Sequence, residues 1–123
     1  GPEGKEIRKR LRFQITFENS RKMRKDRAFR AVIYHHALPV YKCLIDAKTP
    51  DAKINGKVRL TLRIGDLQGV PKKVTVTQHI QDHAVGECIA KKMRTWIFPE
   101  ALIGNLRVHI DYTFLPTWVT SNQ

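Results

Sequence analysis

Serine and acidic residues are scarce in this sequence, and their scarcity limits the chemistry it can perform. Its two serines, Ser20 and Ser121, fall in a predicted helix cap and in the C-terminal tail, and its 11 acidic residues are scattered. Nucleophilic catalysis needs a base beside the nucleophile, and acid–base catalysis needs paired titratable groups in a cleft. A glycine-rich phosphate loop and a nucleophile elbow are also absent from the sequence. We therefore expect a binding module, with no catalytic residue, metal or cofactor, rather than an enzyme.

Long apolar runs are absent as well, since none reaches the length needed to cross a bilayer. The chain has 123 residues, which suits one domain with one core. Gly1-Pro2 resembles the remnant left by a tag-removing protease. We expect residues 1–18 to be this remnant plus a basic segment able to form an extra strand. The domain is predicted over 19–116 and a loose tail over 117–123.

Negative charge is in short supply: 23 Lys and Arg against 11 acidic residues give a formal net charge of +12. Such a surface attracts nucleic acid, anionic lipid or acidic protein. The basic runs Arg8–Arg10 and Arg21–Lys25 can grip phosphates, with Phe13 and Phe17 stacking on bases. These aromatics share their alternating face with apolar residues, however, and RNP and KH motifs are absent. A basic cytoplasmic nucleic-acid-binding domain is the alternative interpretation, and nucleic acid is not the partner we expect.

Apolar and polar residues alternate in four segments, which is the pattern of half-buried strands. The inward positions are predicted at Leu11, Phe13, Ile15 and Phe17; at Val58, Leu60, Leu62 and Ile64; at Val70, Val74 and Val76; and at Leu106, Val108, Ile110, Tyr112 and Phe114. The second and third segments form a hairpin whose turn lies at Gly65–Gly69.

Apolar steps of three and four residues predict two helical regions between these strands. The first runs from Arg21 to about Ala47, and Pro39 either kinks it or lets a second short helix start near Leu38. Asp82 caps the second region, whose inner stripe is Val85, Cys88, Ile89 and Met93.

The order of elements predicts an α+β fold, with a small antiparallel sheet and two helices packed on one face. The sheet contains the hairpin and the C-terminal strand, with an N-terminal strand as an optional addition. Its structural core is predicted at Val58, Leu60, Leu62, Trp96 and Phe98, with Trp96 packing under the sheet against Val58, Leu60 and Val108.

The only two cysteines, Cys43 and Cys88, fall on the inner stripes of the two helical regions. Because both helices pack on one face of the sheet, the two sulfurs can meet in a disulfide or remain buried free thiols. A zinc site with His79 and His83, which are four residues apart, is a further alternative. Solvated or core-edge histidines are the more common case, and we do not expect a metal.

Several stretches together resemble a known family. They are His36–Cys43, Gly56–Ile64, Gly69-Val70, Val85–Ile89, Trp96–Pro99, Gly104 and Val108–Phe114. The paired cysteines with Trp-x-Phe-Pro are their most specific feature. The chain resembles the TonB C-terminal-like domain of the AgmX/PglI (GltJ-type) gliding-motility proteins from about His35 to Pro116.

The resemblance implies a protein anchored in the inner membrane whose last domain lies in the periplasm. There it would bind periplasmic or outer-membrane proteins and transmit force or position. Because the periplasm is oxidising, the resemblance also implies that Cys43 and Cys88 form a disulfide.

The resemblance further implies that the final strand, Leu106–Phe114, is a sheet edge that accepts an extended partner segment by strand addition. The predicted partner-binding residues are Arg107, Val108, His109, Ile110, Asp111, Tyr112 and Thr113. The segment Leu11–Phe17 is itself a strand that can occupy this edge, or exchange with a second molecule to make a homodimer. We therefore expect the edge to be either bound to that segment or open to a partner.

Overall fold

A computed structural model describes residues 7, 9–18, 26–47, 56–65, 69–99 and 106–115. Its strands are β1 (Leu11–Phe17), β2 (Gly56–Ile64), β3 (Pro71–Gln78) and β4 (Leu106–Phe114), and its bounded helices are α1 (Asp26–His35), α2 (Ala37–Ile45) and α3 (His83–Met93). The predicted α+β class with an antiparallel sheet is confirmed. Gly1-Pro2, Arg21–Lys25 and the predicted tail over 117–123 lie outside the described residues.

The four strands are arranged in the order β1-β4-β2-β3, and every neighbouring pair is antiparallel. The N-terminal strand that the sequence offered as an optional addition is part of this sheet. It pairs with β4 along its whole length, from Leu11 opposite Phe114 to Phe17 opposite Val108. β4 therefore has a neighbour on each side and is not an open edge in this fold. Of the two states expected for β4, the structure has the one bound to the N-terminal segment.

One hydrophobic core lies between the sheet and the helices. The inward residues of β2 and β4 are almost completely buried, as predicted, and they form one cluster with the apolar stripes of the three helices. Val58, Leu60, Leu62, Trp96 and Phe98 all belong to this cluster. The side chain of Asp82 accepts a hydrogen bond from the Ala84 amide at 2.9 Å, which confirms the predicted cap of α3.

The first helical region is divided in two, as the proline predicted. One helix ends at His35, the next begins at Ala37, and Pro39 lies in the first turn of the second helix. Amides of the first turn have no partner within their helix, so a proline there sacrifices no hydrogen bond. No helix in the described part of the chain is both long and apolar enough to span a membrane.

The start of β3 departs from strict alternation. Lys73 lies opposite Arg63, but Pro71 lies opposite Ile64, so one additional residue of β3 is accommodated at a bulge. Pro71 is therefore buried, and Val70, which we predicted to point inward, is 43% exposed. The turn before it needs glycine, because Gly69 has φ of 69° and a Cβ there would overlap the Phe98 carbonyl oxygen.

Candidate functional site

The outer edge of β1 presents backbone groups that pair with no strand in the described structure. The Leu115 amide donates to the Arg10 carbonyl at 2.9 Å, and the Glu18 amide donates to the Arg107 carbonyl at 3.1 Å, at opposite ends of the β1–β4 ladder. Residues of an antiparallel pair alternate between facing their partner strand and facing away. The even-numbered residues of β1 therefore face β4, and Phe13 and Ile15 direct their amides and carbonyls outward.

The core-facing side chains at this edge are incompletely covered. Phe13, Ile15 and Phe17 are only partly buried, whereas the inward residues of β4 are almost completely buried. The Phe13 ring meets Tyr34 of α1 edge-on, with centroids 4.8 Å apart, and Tyr34 is 59% exposed. The Arg30 guanidinium lies 5.5 Å from the centre of the Phe13 ring. A further strand beside β1 would therefore cover apolar surface in addition to pairing backbone groups.

The opposite edge of the sheet, β3, is less accessible to a further strand. Alternation through the β4–β2–β3 ladders directs the backbone groups of Val74 and Val76 outward. The Arg94 side chain occupies one of these positions, because its Nη2 donates to the Val74 carbonyl at 3.1 Å. Pro71 begins this strand and two lysines follow it, and proline and lysine both discourage pairing at sheet edges. The outer edge of β1 is therefore the more available of the two.

The predicted partner-binding residues on β4 lie in the interior of the sheet. Val108, Ile110 and Tyr112 face the core, and alternation directs their amides to β2. The other predicted residues, Arg107, His109, Asp111 and Thr113, lie on the opposite face, and alternation directs their amides to β1. A partner strand can reach the backbone of these residues only if β1 leaves.

The face of the sheet away from the helices carries a polar network that ties the strands together. Arg59 of β2 makes two hydrogen bonds to Asp111 of β4, at 2.7 and 2.9 Å, which raises the pKa of the arginine. The Thr61 hydroxyl lies 2.8 Å from the Thr77 hydroxyl and 2.9 Å from His109 Nδ1. Asp111, one of the predicted partner-binding residues, is thus occupied by an internal arginine. Only the register of the strands reveals these pairs.

Cys43 of α2 and Cys88 of α3 form a disulfide, with their Cα atoms 5.8 Å apart. The two inner helical stripes therefore meet, and of the two states that the helical pattern left open for the cysteines, the structure has the disulfide. With both sulfurs in this bond, neither is free to complete a zinc site with the histidines. His79 and His83 stack on each other at 4.4 Å, and no group of three metal-ligating residues is found within the described ranges.

A groove of about 910 Å³ lies beside this disulfide, between α3 and the junction of α1 with α2. It is lined by His35, His36, Pro39, Cys88, Lys91, Lys92, Thr95, Trp96 and Ile97. Trp96 is 4% exposed, and its ring stacks on His36 with centroids 4.3 Å apart and an interplanar angle of 7°. Trp96 is buried as predicted, and its nearest aromatic partner belongs to the helix junction.

The stack on Trp96 contains a titratable ring, that of His36, whose pKa is shifted in the folded domain. Burial, and then the neighbouring His35, lower the pKa of His36 below its ordinary value. The unfolded chain therefore binds a proton at a higher pH than the folded domain does. We expect the free energy of unfolding to fall as the pH drops below about 6.5, the ordinary pKa of histidine. Urea unfolding between neutral and mildly acidic pH measures this loss.

The matched variant for this prediction is His36→Gln, which cannot titrate. Its unfolding free energy should depend less on pH over the same range than that of the original domain. An equal pH dependence in both proteins would assign the effect to other groups.

Arg10 and Tyr112 each bury a polar group in a way that the sequence did not reveal. Arg10, which belongs to the basic run predicted to grip phosphates, is 1% exposed, and its Nη1 donates to the Tyr41 hydroxyl at 3.4 Å. Tyr112 is buried, its hydroxyl has no hydrogen-bond partner among the described residues, and burial raises its pKa. The alternating pattern identified Tyr112 as inward-facing but did not reveal that its hydroxyl lacks a partner in the described part of the chain. The position of Arg10 just before β1 gave no signal of burial.

Comparisons of the chain with protein-family models, with curated proteins and with solved structures find no match. Membership of the AgmX/PglI family therefore stays a prediction from the resemblance of the motifs.

Proposed function

We propose that this domain is a TonB-like adaptor that binds an extended segment of a partner protein by strand addition and performs no chemistry. Its place is the periplasm, as the last domain of an inner-membrane-anchored, envelope-spanning machinery of the gliding type. The partner is a periplasmic or outer-membrane protein, to which the domain transmits force or position.

The outer edge of β1 is the observation that carries this proposal. It combines backbone groups that pair with no described strand, half-buried core-facing side chains at Phe13, Ile15 and Phe17, and an exposed Tyr34 beside them. Strand addition uses these features, because the backbone supplies affinity and alternate side chains supply selectivity. We accordingly move the proposed docking edge from β4 to β1.

Two further features support the adaptor interpretation. The disulfide between α2 and α3 suits an oxidising compartment. The antiparallel sheet with helices on one face suits a domain whose opposite face and edges remain available for contacts.

Two proline substitutions, one at each edge of the sheet, test the proposal. Ile15→Pro removes one outward amide from β1 and leaves the amides that face β4 in place. We expect this variant to lose capture of the partner in the cell envelope. The measurement is photo-crosslinking from a reactive amino acid at Gln14, which is exposed on β1, followed by identification of the crosslinked protein.

The matched control is Val76→Pro, because Val76 is also partly buried and directs its amide outward, but from β3. It should keep the crosslink, and both variants should keep the circular dichroism spectrum of the original domain. Capture that survives Ile15→Pro and disappears with Val76→Pro would move the docking edge to β3. Crosslinking that survives both changes would reject strand addition at either edge.

Exchange of β1 between two copies remains the second arrangement that the sequence suggested. It would place the β1 of one molecule on the β4 of its partner in the same register. Sedimentation at several protein concentrations distinguishes such a homodimer from a monomer with β1 folded on its own β4.

A further inference from the structure

Three basic residues stand directly opposite one another across the polar face of the sheet. Arg63 of β2 lies opposite Lys73 of β3 on one side and opposite Arg107 of β4 on the other. All three side chains are exposed. Like charges directly opposite each other destabilise a sheet, so this cationic row opposes folding unless a negative charge lies beside it.

Nearby acidic groups compensate only part of this charge. Glu18 lies 3.5 Å from Arg107 and 3.1 Å from His109. Within the described residues, Arg63 and Lys73 have no carboxylate at ion-pair distance. Counted over the described residues, three basic groups and one carboxylate leave the row with two positive charges that are not compensated.

The cationic row lines a small polar cavity. The cavity measures about 230 Å³, and its remaining lining includes the hydroxyl-bearing residues Thr61, Thr75 and Thr77. Guanidinium forks, an ammonium group and hydroxyls are the donors that bind a tetrahedral oxyanion. The volume lies below that of pockets for drug-sized ligands, so it fits a phosphate group rather than a large organic molecule.

We propose that this cavity binds the phosphate group of a phosphomonoester, held by Arg63, Lys73 and Arg107. Such a group carries close to two negative charges at neutral pH, which matches the uncompensated charge of the row. The site lies on β2, β3 and β4, away from the outer edge of β1. It therefore does not depend on the proposed strand addition.

Thermal unfolding and NMR titration with inorganic phosphate test this site, with chloride replacing phosphate at constant ionic strength. We expect saturable binding that raises the melting temperature of the original domain. Arg63→Gln should weaken phosphate binding by about tenfold or more, because a charge-assisted fork is lost. In chloride alone the same variant should melt at a higher temperature than the original domain, because removing the central cation relieves both repulsive pairs.

Arg12→Gln is the matched control. It removes the same charge from an exposed position on the same face, but Arg12 does not line the cavity. It should leave phosphate affinity nearly unchanged. If Arg63→Gln fails to fold by circular dichroism, Lys73→Gln at the end of the row takes its place.

The source of the phosphate group is distinguished by a second probe, phosphatidylcholine vesicles containing phosphatidate. Saturable binding of inorganic phosphate supports a soluble phosphorylated ligand, whereas binding to the vesicles alone supports a lipid headgroup. In either case Arg63→Gln should remove the binding. Equal weakening by Arg63→Gln and Arg12→Gln would assign the binding to general charge and overturn the site. Failure to bind either probe would also overturn it.

Discussion

Reduction of the Cys43–Cys88 disulfide is expected to lower the free energy of unfolding by about 4 kcal/mol. The bond joins residues separated by 45 positions in sequence, and opening it releases a long loop in the unfolded chain. Small domains are stabilised by roughly 5–15 kcal/mol in total, so this loss is a large share. Urea unfolding monitored by tryptophan fluorescence, with and without reductant, measures the difference.

The double variant Cys43→Ala with Cys88→Ala is the control for this prediction. It should be about as stable as the reduced domain and should not respond to reductant. Thiol titration of the unreduced, denatured domain should find no free thiol, since both cysteines are bonded in the structure. Two thiols in that titration, or an unchanged unfolding midpoint after verified reduction, would contradict the expected stabilisation.

Trp96→Ala is expected to lower the free energy of unfolding by about 3–5 kcal/mol, as truncation of a large buried aromatic does. The Trp96 side chain is 4% exposed, stacks on His36, and lies 6.3 Å from Phe98 between ring centroids. The change leaves a void where α3 meets the junction of the first two helices. Chemical unfolding measured by circular dichroism gives the magnitude.

The adjacent residue supplies a matched control. Ile97 lines the same groove but is 68% exposed, so Ile97→Ala should alter the unfolding free energy by no more than about 0.5 kcal/mol. If Trp96→Ala and Ile97→Ala had equally small effects, the tryptophan would not be part of the core. Trp96 would then be a candidate for contacting a binding partner in the groove.

The sequence alone determined the secondary-structure elements of the domain and which of their faces are buried. Alternation identified the inward residues of β1, β2 and β4, because successive side chains of a strand point to opposite sides. The three- and four-residue steps identified the inner stripes that bring Cys43 and Cys88 together. Pro39 located the helix junction, since an amide-free residue fits the first turn of a helix.

The tertiary structure determined the order of the strands, the register between neighbours and the long-range contacts of buried side chains. Strand order is a long-range property, so only the fold shows that β1 pairs with β4. The edge of the sheet on this side is therefore β1 and not the final strand. The bulge that exposes Val70 depends on pairing with β2. The alignment of Lys73, Arg63 and Arg107 likewise follows from register, which no local pattern encodes. The burial of Arg10 against Tyr41, 31 positions away in the sequence, has the same long-range origin.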